Sequence, residues 1–231
     1  MGKINESTVM ASNASPNLGF YDASTAARLA QVPVRTVRSW DRNGIVPPIV
    51  EWVDERGETT YGYTFEGLVY LRLIRMMREL HPPFPLRKVV STVKFLRENY
   101  GPPSPKWVEA QIVSDGNDIW VLNPVTASAS KSGQIPFKKL FEREFALLAE
   151  REDAILIPHR FLRWVEIKPG VRNGMPVVRN TGIETSTIHA AFAQNLTAQE
   201  IKSRFPFLTV PQLIHTEEYE EFLDTQLDLA A

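Results

Sequence analysis

Cysteine is absent from all 231 residues, which excludes disulfides, thiolate metal sites and cysteine nucleophiles together. Long apolar runs are absent as well. No stretch reaches the ~20 residues a membrane-spanning helix needs, and Met1–Leu18 lacks the basic-then-apolar order of a secretion signal. A cytoplasmic chain with no membrane contact is expected. Positive charge is not in excess either: 26 Lys and Arg face 27 Asp and Glu, so any contact with nucleic acid must be local. Histidine is scarce. His81, His159, His189 and His215 fall in different elements without ligand spacing, and Gly170 and Gly174 are too isolated for a phosphate-binding loop. No catalytic residue, metal site or cofactor is expected.

What the chain does have is the material of ordinary globular domains. Its 43% hydrophobic content is enough to fill one large core or two small ones. The charge it carries is unevenly placed. Arg28, Arg35, Arg38 and Arg42 outnumber Asp22 and Asp41 near the beginning, whereas Glu217, Glu218, Glu220, Glu221, Asp224 and Asp228 follow one another with no basic residue between them.

The stretch Tyr21–Pro48 organises the rest. Ser24 is placed to cap a short helix whose apolar face is Ala27, Leu29 and Ala30. Pro33 suits the start of a second helix, and Gly44 suits its C-terminal stop. Two short helices so tightly joined make a helix-turn-helix. Spacings of three put Val34, Val37 and Trp40 inward. Arg35, Thr36, Arg38, Ser39 and Arg42 then lie on or near the outer face, with the donors to hold phosphates and base edges. Periodicity alone leaves this reading level with that of a solvated helix.

Met1–Leu18, polar and rich in Ser and Asn, reads as a disordered leader. Val50–Val53 and Thr59–Tyr63 alternate as two strands around a polar turn, with Arg56 at the tip and Tyr61 and Tyr63 on the return. Thr64 caps a helix to about Leu80 with Leu68, Leu71, Ile74 and Met77 as its stripe. A further helix starts at Pro85 and buries Val89, Val93 and Leu96. Gly101-Pro102-Pro103-Ser104-Pro105 cannot be helical, so 101–106 reads as a linker.

Beyond it, Val108–Val113 and Asp118–Leu122 read as strands, Val125–Gln134 as a loop and Phe137–Ala149 as a helix. Ile155–Ile167 has the composition of two strands broken at Pro158. Three helices are expected last: Thr187–Gln194, a second opened by the capping box Thr197-Ala198-Gln199-Glu200, and a third opened at Thr209. The fold class is mainly α with short β hairpins: a winged helix-turn-helix over 19–100 and a small-strand, trihelical domain over 107–231.

Two family resemblances rest on these residues. Val34–Ile45, with Thr36, Arg38, Trp40 and Gly44 in matching places, resembles the recognition-helix stretch of MerR-family winged helix-turn-helix regulators. The likeness runs to about Tyr100 and implies operator DNA as partner, with Arg56, Tyr61 and Tyr63 in the wing. It departs at Gly62, where the family carries arginine, and at 101–105, where the family continues its dimerising helix.

Arg163–Leu223 resembles the small bacterial domain of unknown function 433 through Gly174, Pro176, Val177, Val178, Thr181, Ile183, Glu200, Ile201, Phe205, Pro206, Leu208 and Thr209. Asn180 stands where that family has glycine, a place Asn fills because it tolerates positive φ. Together the halves resemble the larger VapB-type antitoxins. That resemblance implies an operator-binding antitoxin that neutralises a co-encoded PIN-like (VapC-type) ribonuclease toxin. The need to read two half-sites, with the usual seam broken at 101–105, calls for a homodimer joined by 107–231. The acidic stretch Glu217–Asp228 is the expected toxin contact. The alternative is a stand-alone regulator whose second domain dimerises or senses a ligand.

Overall fold

The fold begins with a two-residue strand, β1 (Tyr21–Asp22), that turns directly into α1 (Ala23–Ala30). The computed structural model describes residues 19–46, 50–53, 57, 59–79, 84–101, 107, 111–114, 119–122, 135–136, 151 and 153–228. Asp22, not Ser24, caps α1: its carboxylate accepts the Thr25 N–H at 2.7 Å. An acidic cap also suits the positive end of the helix dipole, and that favours Asp22 over its neighbour. At the other end the Val32 N–H reaches the Ala27 carbonyl and the Gln31 N–H that of Arg28. Gln31 takes the left-handed position at φ 57 that glycine usually fills.

After α2 (Val34–Arg42), β2 (Val50–Val53) and β3 (Thr59–Tyr63) form the expected hairpin, Val50 opposite Gly62 and Val53 opposite Thr59. β1 pairs with the other side of β3, giving a sheet in the order β1-β3-β2. Thr64 caps α3 (Phe65–Arg78) through the Gly67 N–H, and Leu68, Leu71, Ile74 and Met77 are all buried along it. α4 (Leu86–Tyr100) follows Pro85 and lays Val89, Val93 and Leu96 back against α3, then stops at Gly101, whose φ is 81°.

The core of this head does not stop at the expected linker. Trp107 is 1% exposed. Its indole N–H donates to the Gly101 carbonyl at 3.1 Å, and its ring lies 6.2 Å from that of Tyr70 on α3. β4 (Gln111–Ser114) and β5 (Ile119–Leu122) form the second expected hairpin, shifted slightly from the expected bounds, and β6 (Ile135–Pro136) pairs with the free side of β4. The expected leader 1–18, the linker residues 102–106, the loop 125–134 and the helix 137–149 lie outside the described residues.

The expectation of two strands in Ile155–Ile167 needs correction. Residues 153–157 turn tightly, His159–Phe161 is a short 3-10 turn, and only β7 (Val165–Glu166) is extended, paired with β8 (Val177–Val178). The cause is Asp153. Its buried carboxylate accepts the Ile167 N–H at 2.6 Å and binds the Arg151 guanidinium, so a side chain takes a donor that a strand ladder would have used.

Three helices close the chain: α5 (Thr185–Ala193), α6 (Ala198–Arg204) and α7 (Val210–Asp228). The capping box of Thr197 and Glu200 forms as expected. Thr209 and Gln212 make a second one, the Gln212 side chain accepting the Thr209 N–H at 2.8 Å. Asn180 does adopt positive φ, at 64°.

α7 joins two cores. Leu213 packs with Val178, Ile188, Ile201 and Leu208, whereas Tyr219 and Leu223 belong to the larger core that holds α1, α3 and α4. Phe161, Val165 and Ile167 enter that larger core too, so the last third of the chain completes the head.

Candidate nucleic-acid interface

α2 is fixed at both ends by its own backbone. The Pro33 carbonyl accepts the N–H groups of Thr36 and Val37 at 2.8 and 3.0 Å. At the far end Gly44, at φ 63, lets its N–H reach the Asp41 carbonyl while the Ile45 N–H reaches that of Trp40, both at 2.8 Å. Val37 and Trp40 are buried, and Val34 and Ile45 pack beside them. The inner side is therefore settled as the spacing required.

On the outer side Arg35, Arg38 and Arg42 are exposed, while Thr36 and Ser39 are half-buried. The Arg42 Nε donates to the Arg38 carbonyl at 3.3 Å, which folds its stem along the helix. Asn43, which periodicity does not single out, donates its amide to the Ser39 carbonyl at 2.6 Å and occupies the C-terminal end of that face. The guanidinium-bearing residues exposed on this side are Arg35, Arg38 and Arg42.

Of the three wing residues, Tyr63 is the one whose side chain is described. Arg56 lies outside the described residues, and of Tyr61 only the backbone pairing with Glu51 is described. Tyr63 must be withdrawn as a contact. It sits opposite Tyr21 across the β1–β3 pair, both are 1% exposed, and its ring belongs to the larger core. At a strand position whose side chain points inward, a tyrosine serves packing.

Arg28 is also removed from the DNA side. Its guanidinium turns away to α7, meeting Glu220 at 2.7 Å and Asp224 at 2.7 Å. Burial alone would lower its pKa, but the two carboxylates outweigh that and hold it above the ordinary value. Glu220 is 2% exposed and also accepts the Thr185 hydroxyl. Close by, the Tyr21 hydroxyl donates to the Gly174 carbonyl at 2.8 Å. Burial pushes that phenol well above its usual range.

The six acidic residues of the last helix thus have different surroundings. Glu220 and Asp224 hold Arg28, and Glu217 lies 3.1 Å from the His189 ring. Glu218 pairs with His215, whose ring stacks on Trp164 at 4.6 Å. Glu218 and Glu221 are exposed, and the side chain of Asp228 lies outside the described residues. No sequence signal could have paired Arg28 with Glu220, because 192 positions separate them. Among the described residues no three His, Asp or Glu side chains gather closely enough for a metal ion, and no helix is long and apolar enough to cross a membrane.

Comparison with known proteins bears on both halves. Residues 21–82 match the family described as MerR HTH family regulatory protein, and residues 165–219 match the family described as protein of unknown function (DUF433). No curated protein sequence matches. Among solved structures, the X-ray crystal structure of Rv2018 from Mycobacterium tuberculosis is similar at a TM-score of 0.56 and 17% identity, over 85% of this chain and 96% of that one. At that identity the likeness is one of fold. This chain therefore carries a MerR-family helix-turn-helix domain at its head and a DUF433 domain in its last third.

Proposed function

We propose that the chain binds operator DNA as a homodimer, represses its own operon, and serves as the antitoxin that neutralises a co-encoded PIN-like, VapC-type ribonuclease. One observation carries the DNA half: α2 buries Val37 and Trp40 while exposing Arg35, Arg38 and Arg42 on a MerR-family head. Thr36 and Ser39 stand in support. Guanidiniums on a groove-sized helix suit base edges and phosphates. A non-catalytic role goes with such a regulatory head. A homodimer follows from the need to read two half-sites, and the C-terminal half is its proposed seam.

The ribonuclease partner rests on the likeness of the DUF433 pattern to VapB-type antitoxins. On the acidic helix the contact would fall to the exposed Glu221 and to Glu218, whose partner His215 lies on the same helix, because Glu217, Glu220 and Asp224 are tied to other elements. The test is direct. Arg38→Ala should weaken binding to the duplex upstream of the chain's own coding region by roughly 10-fold or more, the usual worth of one arginine contact. The chain should also co-purify with the product of the adjacent reading frame and silence its RNA cleavage. Unchanged DNA binding in folded Arg38→Ala refutes the recognition helix, and full cleavage in the complex refutes the antitoxin role.

A stand-alone, ligand-sensing regulator is favoured by a different observation. A cleft of about 690 Å³ lies beside the C-terminal turn of α2, lined by Ile45, Val46, Tyr70, Ile74, Val93 and Arg97 among others. A neighbouring gene for an unrelated enzyme, with no nuclease, would support that reading.

A further inference from the structure

From Pro158 to Ile183 the chain carries Arg160, Arg163, Lys168, Arg172 and Arg179 against a single carboxylate, Glu166. Glu166 is buried and held by the Lys168 ammonium at 2.8 Å and the Asn180 N–H at 3.0 Å, and its charge is spent on Lys168 and Arg151. Four arginines remain. The Arg160 guanidinium lies over the rings of Phe161 and Phe222, at 4.5 and 5.5 Å, and that of Arg163 over Trp164 at 4.9 Å. Arg172 donates to the Gly182 carbonyl at 2.9 Å and Arg179 to the Leu162 carbonyl at 3.1 Å. Among the described residues none of the four meets a carboxylate. Each cation is oriented by a neutral group and keeps its charge.

Arg160, Arg163 and Arg179 belong to one surface, because Arg179 reaches the carbonyl of Leu162, which lies between the other two. Arg160 and Arg163 are three residues apart around a 3-10 turn, where side chains at that spacing eclipse. Phe222 beneath Arg160 and His215 beneath Trp164 are two turns apart on α7, about 10 Å along one face. The carboxylates on this part of α7 are Glu218, which hydrogen-bonds His215, and Glu221. The surface is also fixed to the head. The Phe20 N–H donates to the Asn173 carbonyl at 3.3 Å, Tyr21 to Gly174, and Arg28 ties α1 to α7.

We propose that this arginine face binds the phosphodiester backbone of duplex DNA, as a sequence-independent contact additional to that of α2. The inference rests on the DNA-binding reading above. A phosphate partner fits better than an acidic protein, because protein interfaces are built around an apolar centre. None of the large exposed hydrophobics among the described residues, Phe20, Phe95, Phe207 and Ile214, lies under the Arg160 or Arg163 guanidinium. Pre-oriented guanidinium forks match phosphate oxygens without such a centre.

The full-length chain is titrated with two duplexes of about 40 base pairs, one of arbitrary sequence and one from upstream of its own coding region, across roughly 50–200 mM salt. In R160A/R163A the slope of log affinity against log salt should fall by about 2, near 0.9 for each phosphate that is no longer neutralised. Both duplexes should weaken alike. R160K/R163K should retain most of the slope, and R179A, which removes the third guanidinium of the face, should lower it by about 1. Arg38→Ala should instead erase the preference for the upstream duplex. A folded R160A/R163A and R179A with the wild-type slope would overturn the proposal, as would loss of an acidic protein partner with DNA binding intact. A wild-type chain that binds neither duplex sinks the DNA-binding reading itself.

Discussion

Arg28→Ala should be the most damaging single substitution on the face between the two family modules. Glu220 is 2% exposed, and the substitution leaves its carboxylate buried with the Thr185 hydroxyl as its remaining side-chain donor. Stranding one member of a buried pair costs about 3–5 kcal/mol. The Arg28 side chain is 25% exposed, so water reaches the gap and a loss of about 2–3 kcal/mol is the better expectation. Asp224, 51% exposed, should matter far less, under ~1 kcal/mol for Asp224→Ala.

The assay is urea unfolding of Arg28→Ala, Glu220→Gln and the double variant. Removing the charge of Glu220 should rescue part of the Arg28→Ala loss, giving a coupling of about 1–3 kcal/mol. The single transition should also broaden or split as the two cores lose their link through α7. Additive singles, or an Asp224→Ala variant as unstable as Arg28→Ala, would refute the reasoning.

Other positions allow equally definite tests. A Cβ added at Gly174, whose φ is 85°, would lie 2.0 Å from the Tyr21 hydroxyl, so Gly174→Ala should cost about 2 kcal/mol or more and lower the melting temperature. Asn180 at φ 64 should accept glycine within ~0.5 kcal/mol while Asn180→Val loses about 1–2 kcal/mol; an unaffected valine variant would contradict the backbone argument. Burial pushes the Glu166 carboxyl up, but Lys168 and the Asn180 N–H outweigh it and hold it below its ordinary 4.5. Its stabilisation is therefore complete above that value and is lost as pH falls through the lower, folded one. The melting-temperature gap between wild type and Glu166→Gln should stay level at neutral pH and close on acidification below 4.5.

Local chemistry made much of this fold legible. Thr64 and Thr197 cap where their hydroxyls can serve a free N–H, Gly44 ends α2, and the stripes of α3 and α4 bury the residues their spacing names. The outer face of α2 followed from the same periodicity. What escaped depended on distant partners. Tyr63 looked like a wing contact because alternation gives two faces without saying which one β1 will cover. Arg28 was counted with the DNA-facing arginines because its acceptors lie beyond any local window. Residues 155–157 have strand composition, yet Asp153 intercepts the hydrogen bond that a longer strand would have needed. The Arg160–Arg179 surface went unnoticed because its cations are spaced irregularly along loops, with no period to mark them.

The distance along the chain between Arg28 and Glu220 also sets a clock. Ribosomes add about 5–20 residues each second, so 192 positions correspond to roughly 10–40 s of synthesis. During that interval α1 and α2 have left the ribosome while Tyr219, Glu220 and Leu223, which complete their core, do not yet exist. The helix-turn-helix is made well before the residues that finish its core. A nascent chain therefore carries Arg28 without its carboxylates and Tyr21 without its acceptor until Gly174 and then α7 are made.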